Sequence, residues 1–393
     1  MILFCVMYIA IEMKFNRTIQ LLFLVFIIGT SIFIILFSVE HVFKLLQYQK
    51  ITNVLQADRF IRIRNLPPNT HPVFRPSIVI NKKDSFDLEV KDYQSSTDSL
   101  GFIVTNLNHV NPDLKFAFLG SSTTQCLFVE EDKRMPEAVT RAVEKKTGMK
   151  INVWNCAAGG THSYHTLNMF NNLAVNLNTN YAFFYGNVND VSALMHYGTY
   201  NNPNIDKGLF FTIEGYQKKN NIPLSGALPY TTDALKTWFH LKPEVDDFGD
   251  ARGLPLILDS AVIIPQVIRV FKTIVASCKA NQVKPVIITQ RLNFDILSYS
   301  WLLKNMPYFT PTEGEYDKVK LLFHLYNDAL RRVAKEENVI LIDLDDIPLG
   351  FEDFYDAVHF NTKGSVVVSE EIATQFLEKT KEETQQEKRR SSN

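Results

Sequence analysis

Five short apolar runs, at 115–119, 151–155, 181–185, 285–289 and 339–342, alternate with stretches whose apolar residues recur at helical spacing. Helices are expected at about 136–146, 164–177, 259–280, 313–336 and 363–379. Pro136 suits a first helical turn and Gly148 a C-terminal stop. Strands this short and this uniformly apolar need cover on both faces, and alternation with helices makes a parallel sheet the arrangement that supplies it. Right-handed crossovers then bring the C-terminal end of every strand to one edge, where such sheets bind ligands. A chain of 393 residues that is 46% hydrophobic has the material for such a core without staples.

Segment 191–255 interrupts the rhythm. It is rich in Asn, Tyr, Gly and Pro and too long for an ordinary loop, so it is expected as an insertion over the ligand-binding edge. Its Phe210, Phe211, Tyr216, Trp238 and Phe239 suit either stacking on sugars or lining an acyl pocket.

Near the N-terminus, residues 19–39 are 21 positions without a charge, and as a helix they span about 30 Å, the hydrocarbon thickness of a bilayer. Lys14 and Arg17 precede this run, and no small-x-small cleavage site follows it, which favours a retained anchor. The expected organisation is an N-terminal segment 1–18 whose true start is Met13, a transmembrane helix 19–39, and a juxtamembrane neck with a β-rich lead-in at 40–112. An α/β domain at 113–379 carries the insertion 191–255, and a charged, disordered tail at 380–393 follows. Basic residues ahead of the run favour a cytoplasmic N-terminus, hence a single-pass inner-membrane protein with its main domain periplasmic or extracellular.

Four motifs fall after the expected strands: Gly120-Ser121-Ser122-Thr123-Thr124, Asn155-Cys156-Ala157-Ala158-Gly159-Gly160, Gly186-Asn187-Val188-Asn189-Asp190, and Asp356-Ala357-Val358-His359. Singly, each has an ordinary explanation as an N-cap, a tight turn or a surface pair. Together they supply what acyl transfer needs: a hydroxyl nucleophile in Ser122, a base in His359, an acid to orient it in Asp356, and oxyanion donors in Ser122, Gly160 and Asn189. His162 and His165 mimic a metal pair, but no third ligand converges with them, and they are read as structural or substrate-lining.

On these motifs, in this order, the chain resembles the SGNH hydrolases, also called GDSL-like esterases and acyl hydrolases, from about 115 to 376. It is most similar to membrane-anchored bacterial members, which often carry Asp-Ser-x-Gly-Phe before the first strand, here Asp98-Ser99-Leu100-Gly101-Phe102. The resemblance places the nucleophile at Ser122 rather than Ser121, which stands where the family usually has Asp or a second Gly. Asn187 stands where the third block normally has Gly, and these two departures bear on oxyanion geometry. The implied fold is α/β: three-layer α/β/α, flavodoxin-like, with a five-stranded parallel sheet, preceded by one N-terminal transmembrane helix.

The implied function is a membrane-anchored serine esterase or acyl hydrolase, acting on an acyl, chiefly acetyl, ester of a cell-surface or exported glycan. Polysaccharide biosynthesis or export proteins are the implied partners. Transfer to a sugar hydroxyl would share the same acyl-enzyme. Two rivals stand beside it: a lipid or thioester hydrolase, and a non-catalytic glycan-binding subunit of a polysaccharide export complex. Lys plus Arg number 41 against 42 Asp plus Glu, a net charge of −1 that excludes a chain built to coat nucleic acid. Cys5, Cys126, Cys156 and Cys278 form no CxxC pair, and no metal or other cofactor is expected.

Overall fold

The computed structural model describes residues 17–54, 59–61, 63–76, 88–186, 188–202, 204, 207–212, 255–294 and 312–391. The chain forms two units, one of Met1–Phe60 with Phe211–Val245 and one of Ile61–Phe210 with Asp246–Asn393. Two of the boundaries, at 60–61 and 210–211, fall within the short strands β1 (Arg59–Ile61) and β7 (Phe210–Thr212).

In the first unit, α1 (Arg17–Val54) contains the expected span 19–39. Its window Leu24–Phe43 has a mean hydropathy of 2.1, and Phe26, Phe33 and Phe37 are exposed along it. It is long and apolar enough to cross a membrane.

The second unit opens with a small antiparallel pair, β2 (Val73–Phe74) and β3 (Tyr93–Gln94). The main sheet follows: β4 (Leu114–Leu119), β5 (Ile151–Asn155), β6 (Tyr181–Tyr185), β8 (Lys284–Ile288) and β9 (Ile340–Ile342). Its order is β5-β4-β6-β8-β9 and every pairing is parallel, so the chain steps outward from β4 to β5 and then returns to β4's other side. Open α/β sheets bind their ligands at such a reversal, which here lies at the C-terminal end of β4.

Two helical layers cover this sheet. On one face α3 (Met135–Thr147) packs against α8 (Thr362–Ser391). On the other lie α4 (Ser163–Asn172), α5 (Val188–Tyr197), α6 (Ser260–Ala280) and α7 (Glu313–Glu337). This is the three-layer α/β/α architecture with the flavodoxin-like strand order. Side chains alternating along the strands feed both layers. Phe118 stacks on Phe183 at 4.3 Å between ring centres, and Phe116 meets Phe376 of α8 edge-on at 5.4 Å. On the opposite face Phe184 meets Phe170 of α4 at 5.8 Å. The α6 helix is also apolar enough to cross a membrane, but Ile263, Val267, Val270, Phe271 and Ile274 are buried, which makes it a core helix of this unit.

Three expectations need correction. The tail at 380–393 is not disordered as far as Ser391, because α8 runs on to that residue. Its Glu, Gln and Lys are good helix formers, and Glu383 reaches back to Lys284 at 3.3 Å. The second helix stops at Asn172 rather than 177, and a 3₁₀ turn at Ala174–Leu177 ends on Asn178 in the left-handed region. The start of the 191–255 insertion belongs to α5, whose Val191, Leu194 and Met195 line one buried face. Tyr216, Trp238 and Phe239 lie outside the described residues.

Phe116 is fully buried among three aromatic neighbours. Phe116→Ala is expected to cost about 3–5 kcal/mol of stability, read as a lower denaturant midpoint with unchanged slope.

Candidate active site

Gly120 follows β4, Ser121 takes the extended N-cap conformation, and Ser122 opens the one-turn helix α2 (Ser122–Gln125). The turn is closed by the Thr124 and Gln125 amides donating to the Ser121 carbonyl at 3.0 and 2.8 Å, and by Cys126 in the left-handed region. Asn155 at the end of β5 ties this turn to the next loop: its Nδ2 donates to the Thr124 carbonyl at 3.3 Å, and its Oδ1 accepts the Ala157 amide at 3.2 Å.

The Asp356–His359 segment lies in the long connection after β9, where Phe354 and Phe360 form an antiparallel bridge and the Tyr355 amide donates to the His359 carbonyl at 3.0 Å. Asp356 Oδ1 accepts the Val358 and His359 amides at 2.8 and 2.7 Å, which holds the carboxylate in place. Its Oδ2 lies 2.7 Å from His359 Nδ1, and His359 Nε2 lies 2.7 Å from Ser122 Oγ. A carboxylate can only accept, so Nδ1 carries the proton and Nε2 offers its lone pair to the serine hydroxyl. The Tyr355 ring stacks on the imidazole at 5.3 Å and 5°. Structure therefore brings Ser122, His359 and Asp356 into one relay.

Electrostatics suit a general base. Burial alone would lower the His359 pKa, but the Asp356 charge and hydrogen bond outweigh it and raise it above 6.5. Burial likewise opposes ionisation of Asp356, yet the imidazolium and the two amides hold its carboxyl below the ordinary aspartate value.

Gly160 has φ +72, a left-handed turn that glycine adopts without strain. Its neighbour Gly159 lies against the serine turn: a Cβ there would sit 3.8 Å from the Ser122 Cβ and 2.9 Å from Gln125 Oε1. Asn189 stands in the first turn of α5 with its Nδ2 donating to Ser121 Oγ at 2.7 Å, so the first and third motifs touch through their side chains. Asn187 lies outside the described residues.

Beneath Asn189, Asp190 is fully buried and accepts from the Ser163 amide and hydroxyl at 3.0 and 2.8 Å, from Tyr326 at 3.1 Å and from Tyr200. Burial pushes its carboxyl up to about 6, with the hydrogen bonds from Tyr200, Ser163 and Tyr326 pulling the other way. His162 and His165 are structural: His162 Nε2 reaches the Lys207 carbonyl at 2.8 Å, and His165 Nε2 reaches that of Gly208 at 3.1 Å. Burial first, then the Lys207 charge, take His162 down to about 3, although its hydrogen bond to the Lys207 carbonyl pulls the other way, so it stays neutral near pH 7. Sequence reasoning missed Lys207, whose buried ammonium lies 3.0 Å from the Gly160 carbonyl and 3.4 Å from Asn189 Oδ1. Nothing in its Asn-rich surroundings marks it. The three described cysteines are buried free thiols.

No protein-family profile matches the chain, and no curated protein does. It is similar to several solved structures. One is an acetylxylan esterase from Geobacillus stearothermophilus, at 11% identity and TM-score 0.41 over 68% of this chain and 95% of that one. Another is a protein from Parabacteroides merdae named as a GDSL-like lipase, at 10% identity and TM-score 0.40 over 68% and 97%. A third is an alpha/beta hydrolase enzyme from the metagenome of Lake Arreo, Spain, at 12% identity and TM-score 0.39 over 67% and 95%.

The His359 imidazole is expected to titrate above 6.5, followed by NMR, and Asp356→Asn to lower that midpoint by removing the charge that raises it. Only the neutral ring has a free lone pair on Nε2, so an activity that used His359 as a base would fall as pH drops through the raised value.

Proposed function

We propose that this protein is a serine esterase of the SGNH type, acting through Ser122, His359 and Asp356. The observation that carries this reading is the relay itself, two contacts of 2.7 Å linking a turn serine, an imidazole and a carboxylate. Ser122 Oγ attacks the ester carbonyl as its proton passes to His359 Nε2. Asp356 holds Nδ1–H and stabilises the imidazolium without taking the proton. The oxyanion is met by the Ser122 amide, the Gly160 amide and Asn189 Nδ2. Collapse expels the alcohol, protonated by His359, and leaves an acyl-enzyme. Water, or a sugar hydroxyl, then gives its proton to His359 and takes the acyl group, and His359 returns that proton to the departing Ser122 Oγ.

The substrate class we assign is an acyl ester, chiefly acetyl, on a cell-surface or exported glycan. Its support is the motif resemblance to membrane-anchored SGNH enzymes and the apolar helix α1. On this reading α1 anchors the protein in the inner membrane, the second unit works on the far side, and polysaccharide export proteins are its partners. Each step as written is carried by side chains and backbone amides alone.

Turnover of 4-nitrophenyl acetate and of acetylated oligosaccharides by the full chain in detergent tests the reading. Ser122→Ala is expected to abolish it with melting unchanged, and Asn189→Ala to lower kcat about a hundred- to a thousand-fold. A wild type inert on both substrates, or an active Ser122→Ala, contradicts it.

A further inference from the structure

A carboxamide presents a carbonyl oxygen at one end and an NH₂ at the other, and the two ends are nearly the same shape. An oxyanion donor is useful only if the NH₂ faces the reacting carbon; the flipped amide would set an oxygen against the developing charge. Among the described contacts of Asn189 are one at each end of its amide. Ser121 Oγ lies 2.7 Å from Nδ2, but a hydroxyl can donate or accept and so accepts either orientation. The Lys207 ammonium has donors only, and it faces Oδ1 at 3.4 Å. That distance is long for a hydrogen bond, yet a cation beside an amide oxygen orients the amide dipole through its charge, and burial strengthens the effect.

Lys207 is placed with care for a lysine. It is 1% exposed, where an ammonium is costly to bury, and its Nζ also meets the Gly160 carbonyl at 3.0 Å. Its backbone is pinned from both sides. Asn204 Oδ1 accepts its amide at 2.7 Å, and His162 meets its carbonyl at 2.8 Å. The next residue, Gly208, is held by His165, and a Cβ there would fall 2.5 Å from the Asn202 and Asn204 carbonyl oxygens. The histidine pair thus builds the seat of the lysine.

We propose that Lys207 is a positioning residue that fixes the polarity of the Asn189 carboxamide, and with it the Gly160 turn, so that Nδ2 faces the nucleophile; His162 and His165 hold Lys207 in place for this task. The inference rests on the esterase reading above. It also gives Ser121, the departure in the first motif, a role as partner of the amide at its other end.

A double-mutant cycle on 4-nitrophenyl acetate tests it in the full chain. Lys207→Met is expected to lower kcat about ten- to a hundred-fold with KM within about two-fold, and Lys207→Arg to recover most of that loss. In an Asn189→Ala background, Lys207→Met should cost less than about three-fold more, because the group it orients is gone. If Lys207→Met loses cooperative melting, Lys207→Gln carries the same cycle. Losses that multiply in the double mutant, or a loss in KM alone, overturn the proposal while the esterase reading stands. A wild type without turnover removes both.

Discussion

The contact between His359 Nε2 and Ser122 Oγ joins residues 237 positions apart, and every layer of the second unit serves to make it. Ser122 sits where β4 ends and His359 in the connection leaving β9, the first and last strands of the main sheet in chain order. Only parallel pairing directs both to the same edge. Phe116, Phe118 and Phe183 lock the middle of that sheet against α8, and α8 in turn follows directly on the histidine turn. Two further bonds secure the junction: the Asn293 amide donates to the Ala357 carbonyl at 3.0 Å, and Ser365 Oγ donates to the Lys133 carbonyl at 2.7 Å. A 2.7 Å contact over such a sequence separation is paid for by this packing rather than by local turn geometry.

Behind the relay lies a second buried polar network, and the two are joined at consecutive residues of one helix. Asn189 faces Ser121, while Asp190 turns inward to Ser163, Tyr200 and Tyr326. A carboxylate with this many donors fixes the start of α5 against α4 and α7. The histidine pair and Lys207 extend the network to Gly160. The Asn189 side of the site is therefore set by buried polar groups bonded to one another, whereas the Ser122–His359 side is set by the 356–359 turn and the Tyr355 ring stacked on it.

Much of this was legible because it is local. The strand runs at 151–155 and 181–185 coincide with β5 and β6, since apolar runs bounded by turn residues have few alternatives. Asp259 caps α6 by accepting the Ala261 amide, and Gly148 ends α3 in the left-handed region. The motif residues Ser122, Asp356 and His359 stood out in the sequence by type and order, and the structure sets them within hydrogen-bond distance of one another. What escaped was long-range. Lys207 gains meaning only beside Gly160 and Asn189, and Tyr355 only when its ring meets His359. Charge composition suggested a loose tail where α8 continues, because periodicity fades before helix propensity does.

The central claim is that Ser122, and no neighbouring hydroxyl, is the nucleophile activated by His359. Treating the full-length protein with a fluorophosphonate and mapping the adduct by tandem mass spectrometry of its peptides tests this most directly. The account predicts a single adduct on Ser122, lost in His359→Ala. An adduct on Ser121, or none at all, would contradict it.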